Sequence, residues 1–503
     1  MAAKTHELDS SEYILGKFSP WAWRLLVVLI VLLLARLVAL SFNATDLFFD
    51  EAQYWTWSLS PDFGYFSKPP MVAWLIGAST EVCGVSEFCV RLPSPVLYTL
   101  TSLAVFVLGS RLYDPRTGFW SALAFATLPG VSLSAGIIST DVPLLFFWSL
   151  ALVAFVQLMR PGSGWAPALA LGVALGLGLN AKYAMAYFVL CSLVYFFVTP
   201  QHRGMLRDVR WWAALGIAVL LITPNLIWNY ANHFSTFAHT ADNAKWHGSL
   251  FQPVKMLEFF GSQFGVFGPI LFSALLIITV RAYHGKVTGT DRLLLAFALP
   301  VLFIVLVQAF VSRAHANWAA VSYVSASVLV TSTMIRDGAW GWLRGSLGLH
   351  IAWMISLAIL AATAGTIRLP NGQDPFARTL GWHAVASATE KQLVAARARS
   401  DPYGSVLTLD RSVTAELLYY MRDEPTPVLA WRSRDAQPGH HYELTRPYIG
   451  GDGKPVLLVV VGGIPTYVAD SFRTVEYVAV ENIPAGAGPP RRITFARLTG
   501  FKD

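Results

Sequence analysis

Along the first three-quarters of the chain, apolar stretches alternate with polar breaks, at about 25–41, 95–110, 118–135, 142–159, 166–180, 184–198, 211–228, 264–280, 293–311, 317–335 and 346–366. Each is close to the length a helix needs to cross the hydrocarbon core of a bilayer, so the pattern predicts about eleven transmembrane helices. From residue 367 the pattern changes, with an amphipathic helix near 383–399, strands at SVLTLD, PVLLVVVGG and RRITFARL, and a helix at TAELLYYM. The expected fold is a polytopic α-helical membrane protein with a C-terminal soluble α/β domain: a tail over 1–24, a membrane domain over 25–366 and the α/β domain over 367–503.

Composition agrees with the pattern. A chain of 503 residues that is 55% hydrophobic and 13% charged, with mean hydropathy +0.51, has more apolar surface than a soluble core hides. The first apolar stretch follows a polar segment and has no small-residue cleavage site behind it, so it is expected to remain as a helix.

Charge then orients the spans. With the amino terminus in the cytoplasm, Arg111, Arg116, Arg160, Arg203, Arg207, Arg210, Arg281, Lys286, Arg292, Arg336 and Arg344 fall in short loops on one side. The other side receives Lys68, Arg91, Lys182, Lys245, Lys255 and Arg313, spread through longer loops at about 42–94 and 229–263. The positive-inside bias places those long loops outside. An odd number of spans puts the α/β domain with them, and an even number reverses it.

The net charge of +7 is mostly this topology signal, and with no Lys/Arg run or basic stripe a nucleic-acid partner is not expected. Cys83 and Cys89 share the first long loop, where a disulfide and two buried thiols fit the spacing equally, and Cys191 lies in a span. Without a CxxC or HExxH signature no essential metal or other cofactor is expected.

The candidate chemistry gathers in the long loops. FFDEAQYWTWSLSPDFGYFSKPP, residues 48–70, holds the adjacent carboxylates Asp50 and Glu51, Tyr54, Tyr65, and Lys68 before two prolines. The carboxylates read either as a solvated first helical turn or as acid–base groups, and Lys68 either as a snorkelling cation or as an anion ligand. Asp141, in STDVP at the start of a span, is a candidate N-cap or a cavity carboxylate, and Lys182 ends a neighbouring span. His239 and Lys245 stand in the second long loop, and SRAHANWAAVSY adds Arg313, His315 and Asn317. Arg36, inside the first span, reads as structurally paired or snorkelling.

The order of these features resembles a known family. A DE pair after the first span, an F-x-KP motif later in the same loop, an acidic residue at the fourth span and a lysine between the fifth and sixth are similar to the GT-C glycosyltransferases that use polyprenyl-phosphate sugars. These include the protein O-mannosyltransferases of glycosyltransferase family 39 and the aminoarabinose lipid A transferases. The resemblance covers about residues 20–340. It implies that Asp50 is the catalytic base or acceptor-orienting group with Glu51 its companion, that Lys68 holds the carrier phosphate, and that Asp141 and Lys182 line the cavity. Two departures stand out. Ser67 replaces an acidic residue found in the aminoarabinose enzymes, and the arginine expected in the second large loop has no clear match, with Lys245 or His239 as substitutes.

The chemistry that follows is an inverting single displacement. The sugar is already activated by its lipid phosphate, so a carboxylate to deprotonate the acceptor hydroxyl and a cation to stabilise the departing phosphate suffice. The expected partners are a polyprenyl-phosphate sugar, membrane lipids, and a lipid, glycan or protein acceptor, with the active site on the periplasmic face of a bacterial inner membrane. The soluble domain resembles that of enzymes that decorate lipid A or lipopolysaccharide core, uronic acid transferases included. A transporter or flippase of lipid-linked sugars, and a lipid-linked glycan polymerase or ligase, are the alternatives.

Overall fold

A computed structural model describes residues 19–244, 250–433, 436–450 and 453–502. Proline opens many of the helices: Pro20, Pro93, Pro115, Pro129, Pro253 and Pro269 each stand at a first position, where the missing N–H has no intrahelical partner to lose. All eleven apolar segments fall on helices, but length and hydropathy alone support fewer crossings. Among the described residues six helices qualify: Pro20–Ser41, Glu87–Leu112, Asp141–Leu158, Val209–Ala231, Gly289–Val311 and Trp340–Ala362. The pair Pro253–Val266 and Pro269–Tyr283, bent by 116°, makes a seventh if it counts as one span.

Of the remaining segments, one is broken before a proline and another is enclosed by neighbouring helices. The stretch expected at 118–135 is divided at Leu128, between Pro115–Thr127 and Pro129–Ser134. In Ser322–Arg336 every residue from Ser322 to Met334 is buried among other helices. On Pro20–Ser41 the outward face is apolar instead: Val27, Ile30, Val31, Leu34 and Val38 are exposed while Leu25, Leu29 and Leu32 are buried. Such a face is stable against lipid tails and costly in water.

The ends of the bundle differ in charge. At one end Arg160 donates to the Arg111 carbonyl at 2.9 Å, Arg116 lies over Trp340, and Arg336 pairs with Asp291 at 3.0 Å. Helix Pro93–Leu112 runs from that end, across about 30 Å at 1.5 Å per residue, to Arg91 at the other.

The α/β unit sits at this second end. Among the described residues its strands are five, β1 Ser405–Thr408, β2 Val428–Ala430, β3 Val456–Val461, β4 Phe472–Ile483 and β5 Arg491–Phe501, in the order β2-β1-β3-β5-β4. β1 is parallel to β2 and β3, while β5 is antiparallel to β3 and β4. The expected strands are β1, β3 and β5, the inner three, whose side chains are mostly buried. β2 and β4 are the edges. β2 has three residues, and much of β4 is solvated, so neither carries a strong apolar signal.

Docking between the units is specific. Helix Phe49–Ser58 packs on helix Arg411–Tyr420, with Trp55 edge-on to Tyr419 at 4.9 Å. The Tyr420 hydroxyl accepts from Leu47 N at 2.9 Å, and Thr56 and Tyr442 share a hydrogen bond at 2.9 Å. Gly381 precedes helix Trp382–Ala398 and has no side chain to cap it; Asp46 supplies the cap instead, accepting from Trp382 N at 2.7 Å.

Candidate active site

Helix Phe49–Ser58 gives the two adjacent carboxylates different environments. Glu51 is 1% exposed and fully engaged. It accepts from Phe48 N at 2.9 Å, from Ile138 N at 2.9 Å, and from Arg91 Nη2 at 2.8 Å. Arg91 also donates to Thr45 and to the Asp46 carbonyl, so the pair ties the loop to the bundle. Asp50 is half-buried. Its Oδ1 meets Arg411 Nη2 at 2.9 Å, and its Oδ2 has no partner among the described residues.

Arg411 arrives from the α/β unit. It opens helix Arg411–Tyr420, lies over the Phe49 ring with 4.7 Å to the centroid, and reaches Gln53 Oε1 at 3.3 Å. Tyr54, nearly buried one turn beyond Asp50, is held well above its ordinary pKa by burial and by the Asp50 carboxylate, so its phenol keeps its proton. Tyr65 is different: its hydroxyl donates to the Trp57 carbonyl at 2.9 Å and its ring stacks on Trp57 at 4.6 Å. That side chain shapes the loop.

The segment carrying Lys68 is fastened on several sides. Asn225 donates to the Phe63 carbonyl at 2.7 Å, Trp228 to Asp62 Oδ2 at 2.7 Å and Thr236 to the Tyr65 carbonyl at 2.8 Å. Gly64 permits this contact, since a Cβ there would stand 2.5 Å from the Trp228 ring. Lys68 is partly buried, and its ammonium has no hydrogen-bond or ion-pair partner among the described residues. Burial and then the nearby Lys182 ammonium draw its pKa below the ordinary lysine value, with Asp50 and Asp141 opposing.

Asp141 begins helix Asp141–Leu158 but does not cap it; Thr140 is the cap position. Both carboxylate oxygens are occupied, Oδ1 by Lys182 Nζ at 2.6 Å and Oδ2 by Asn317 Nδ2 at 2.6 Å. Lys182 therefore pairs across helices and does not simply extend to the surface. His315 sits beside Arg313, Lys182 and Lys68, and burial followed by these cations lowers its pKa. His239 is pushed down to about 4 by burial and by Lys68 and Arg411, so it is neutral near pH 7. Arg313 has a buried Nε without a partner among the described residues. Lys245 lies outside the described residues.

The structure thus brings Asp50, Lys68, Asp141, Lys182, His315 and Asn317 to one end of the bundle, and pairs Cys83 with Cys89 in a disulfide nearby in sequence. Arg36 is elsewhere, donating to the Ala126 carbonyl within the bundle. Sequence reasoning missed Arg411, Gln53, His440 and His441, which with His239, Phe66 and Ser67 line a cavity of about 270 Å³ between loop and α/β unit. Nothing local marks Arg411: Asp410-Arg411-Ser412 reads as an ordinary helix start, with Asp410 capping Ser412 N.

The family model for dolichyl-phosphate-mannose-protein mannosyltransferase matches residues 67–228, the stretch that holds Lys68, Asp141 and Lys182. The chain is 36% identical over 422 residues to the lipid A galacturonosyltransferase RgtD of Rhizobium johnstonii, covering 83% of this chain and 86% of that one. It is 32% identical over 191 residues to the undecaprenyl phosphate-alpha-4-amino-4-deoxy-L-arabinose arabinosyl transferase of Pseudomonas aeruginosa, covering 35% of this chain and 33% of the relative. Its fold matches the crystal structure of ArnT from Cupriavidus metallidurans bound to undecaprenyl phosphate with TM-score 0.66 and 14% identity, over 95% of this chain and 98% of that one. At the identity and coverage shared with RgtD, the chain belongs to the GT-C glycosyltransferases that draw on polyprenyl-phosphate sugars.

Proposed function

We propose that this enzyme transfers a hexuronosyl group from a polyprenyl-phosphate carrier to lipid A or the lipopolysaccharide core, at the periplasmic face of a bacterial inner membrane. The observation that carries the reading is the pairing of an open carboxylate with an uncommitted cation. Asp50 Oδ2 and the Lys68 ammonium are without partners among the described residues, whereas Glu51 and Asp141 are saturated. The 36% identity to a lipid A galacturonosyltransferase supports the sugar and the acceptor.

Asp50 takes the proton from the acceptor hydroxyl as its oxygen attacks the anomeric carbon, and the bond from that carbon to the phosphate oxygen breaks on the opposite face. Lys68 meets the charge that grows on the leaving phosphate, with Arg313 the second candidate cation. Asp141 holds Lys182 and Asn317 in place below them, and Tyr54 and His315 line the approach as neutral hydrogen-bonding groups. In this reading the membrane domain spans 25–366 and the domain over 367–503 is periplasmic. The arginine-rich loops at the far end of the bundle support that orientation, and so does the Cys83–Cys89 disulfide at the site end.

The test is a panel of undecaprenyl-phosphate sugars offered to purified enzyme with lipid A, read by mass spectrometry as free carrier phosphate and mass added to the acceptor. A gain of one hexuronate is expected. Transfer of only a pentose or a neutral hexose would overturn the assigned sugar, and no carrier release from any donor would overturn the reaction.

A further inference from the structure

We infer that Arg411 is the residue that selects the sugar: it exchanges the Asp50 carboxylate for the carboxylate of a uronate donor, and in doing so frees the base. The inference rests on the reading of the enzyme as a polyprenyl-phosphate uronosyltransferase and adds to it a specificity residue contributed by the α/β unit.

Position is the first argument. The cavity of about 270 Å³ has His239 in its wall, and His239 is close enough to feel both the Lys68 and the Arg411 charge, so a donor whose phosphate rests on Lys68 has its sugar within reach of this cavity. Arg411 is the arginine or lysine in that wall. His239 and His441, also in the wall, have pKa values pushed down to about 4 and about 3, so neither offers positive charge near neutral pH. Asp410 is turned to its own helix, accepting from Ser412 N at 2.7 Å.

Charge is the second argument. At this end of the bundle Lys182 is paired with Asp141 and Arg411 with Asp50, while Lys68 and Arg313 have no ion-pair partner among the described residues. A uronate on a lipid phosphodiester carries two negative charges, one on the phosphate and one on the carboxylate, and a neutral hexose carrier brings one. Lys68 and Arg313 answer the phosphate. Arg411 is the cation placed to answer the second charge.

Arg411 is also free to exchange. A guanidinium has five N–H donors, of which Asp50 and Gln53 engage two nitrogens through one contact each, at 2.9 and 3.3 Å. Its stacking on Phe49 holds the plane while leaving the fork open to a bidentate carboxylate, a geometry a single contact to Asp50 Oδ1 does not use. Once Arg411 turns to the sugar, both Asp50 oxygens are available for the acceptor proton. A donor lacking the carboxylate leaves Arg411 on Asp50, so selectivity in binding and readiness for chemistry are coupled.

The test measures binding, so it needs no acceptor. Full-length protein in nanodiscs is titrated with undecaprenyl phosphate, undecaprenyl-phosphate galacturonate and undecaprenyl-phosphate galactose. Wild-type protein should prefer the galacturonate donor to the galactose donor by about tenfold to hundredfold, the range of charge-assisted hydrogen bonds. Arg411→Gln should erase that preference with affinity for undecaprenyl phosphate unchanged, Arg411→Lys should keep part of it, and Asp50→Asn, which releases Arg411, should tighten the galacturonate donor alone. A wild type without preference, an Arg411→Gln protein that retains it, or one that weakens both donors equally would overturn the inference and leave the transferase reading intact. Failure of wild-type protein to bind undecaprenyl phosphate would instead remove the reading on which it rests.

Discussion

A carboxylate that takes a proton from an attacking hydroxyl needs an oxygen the protein has left open, and Asp50 Oδ2 meets that need. Asp50→Asn keeps the shape and removes the base, so turnover should fall by at least the ~10²–10⁴-fold typical of a lost general base while donor binding persists. Single-turnover transfer alongside donor titration checks this, and near-normal turnover by the folded variant would take Asp50 out of the chemistry. Lys68→Ala should lose donor affinity and turnover together, because the phosphate is charged before the reaction and gains charge in it. As the proposed phosphate ligand the ammonium would act only when protonated, and its pKa lies below the ordinary lysine value. Donor affinity should therefore fall as pH rises through that lowered value, earlier than the ~10.4 of a free lysine. Lys68→Arg should bind more weakly at neutral pH yet show no such fall, which a donor titration across alkaline pH reads directly. Residue identities in FFDEAQYWTWSLSPDFGYFSKPP marked Asp50 and Lys68 as candidates in sequence. The contrast between Asp50 and Glu51 was not, because it depends on Arg91 and Ile138, 40 and 87 residues away.

At the scale of elements, the loop helix Phe49–Ser58 is held by the Glu51–Arg91 pair from below and by helix Arg411–Tyr420 from above. Removing one member of a buried pair strands the other charge, at a cost of about 3–5 kcal/mol. Glu51→Gln should accordingly lower the thermal unfolding midpoint strongly, and an Arg91→Met/Glu51→Leu double variant should recover much of that loss. Thermal melts of the three detergent-purified proteins check this; a Glu51→Gln protein as stable as wild type would return Glu51 to the list of open carboxylates. Hydropathy placed the apolar helices from the sequence. The break at Leu128 and the 116° bend before Pro269 show why counting crossings needed the packing: a short helix enclosed by neighbours and a short helix facing lipid have the same composition.

For the whole molecule, the arrangement of charge makes a directional claim. Loops rich in arginine collect at one end of the bundle, and the α/β unit docks at the other through Asp46, Leu47, Trp55 and Thr56. A reporter that functions only outside the cytoplasm, fused after residue 503, should be active, and one that functions only in the cytoplasm should be silent. The reverse result would place the site on the cytoplasmic face and remove the periplasmic reading. Sequence by itself determined the class of this protein, its orientation signal, the inner strands of its α/β unit and the family, since each of these rests on composition, periodicity or the order of short motifs along the chain. Only the tertiary structure decided which carboxylate stays open, that Asp141 holds Lys182 and Asn317, and that Arg411 meets Asp50. Those outcomes are set by contacts between residues as far apart as 50 and 411, and a contact across that separation leaves no periodic trace in the chain, because it is fixed by how two folded units meet and not by the local preferences of either.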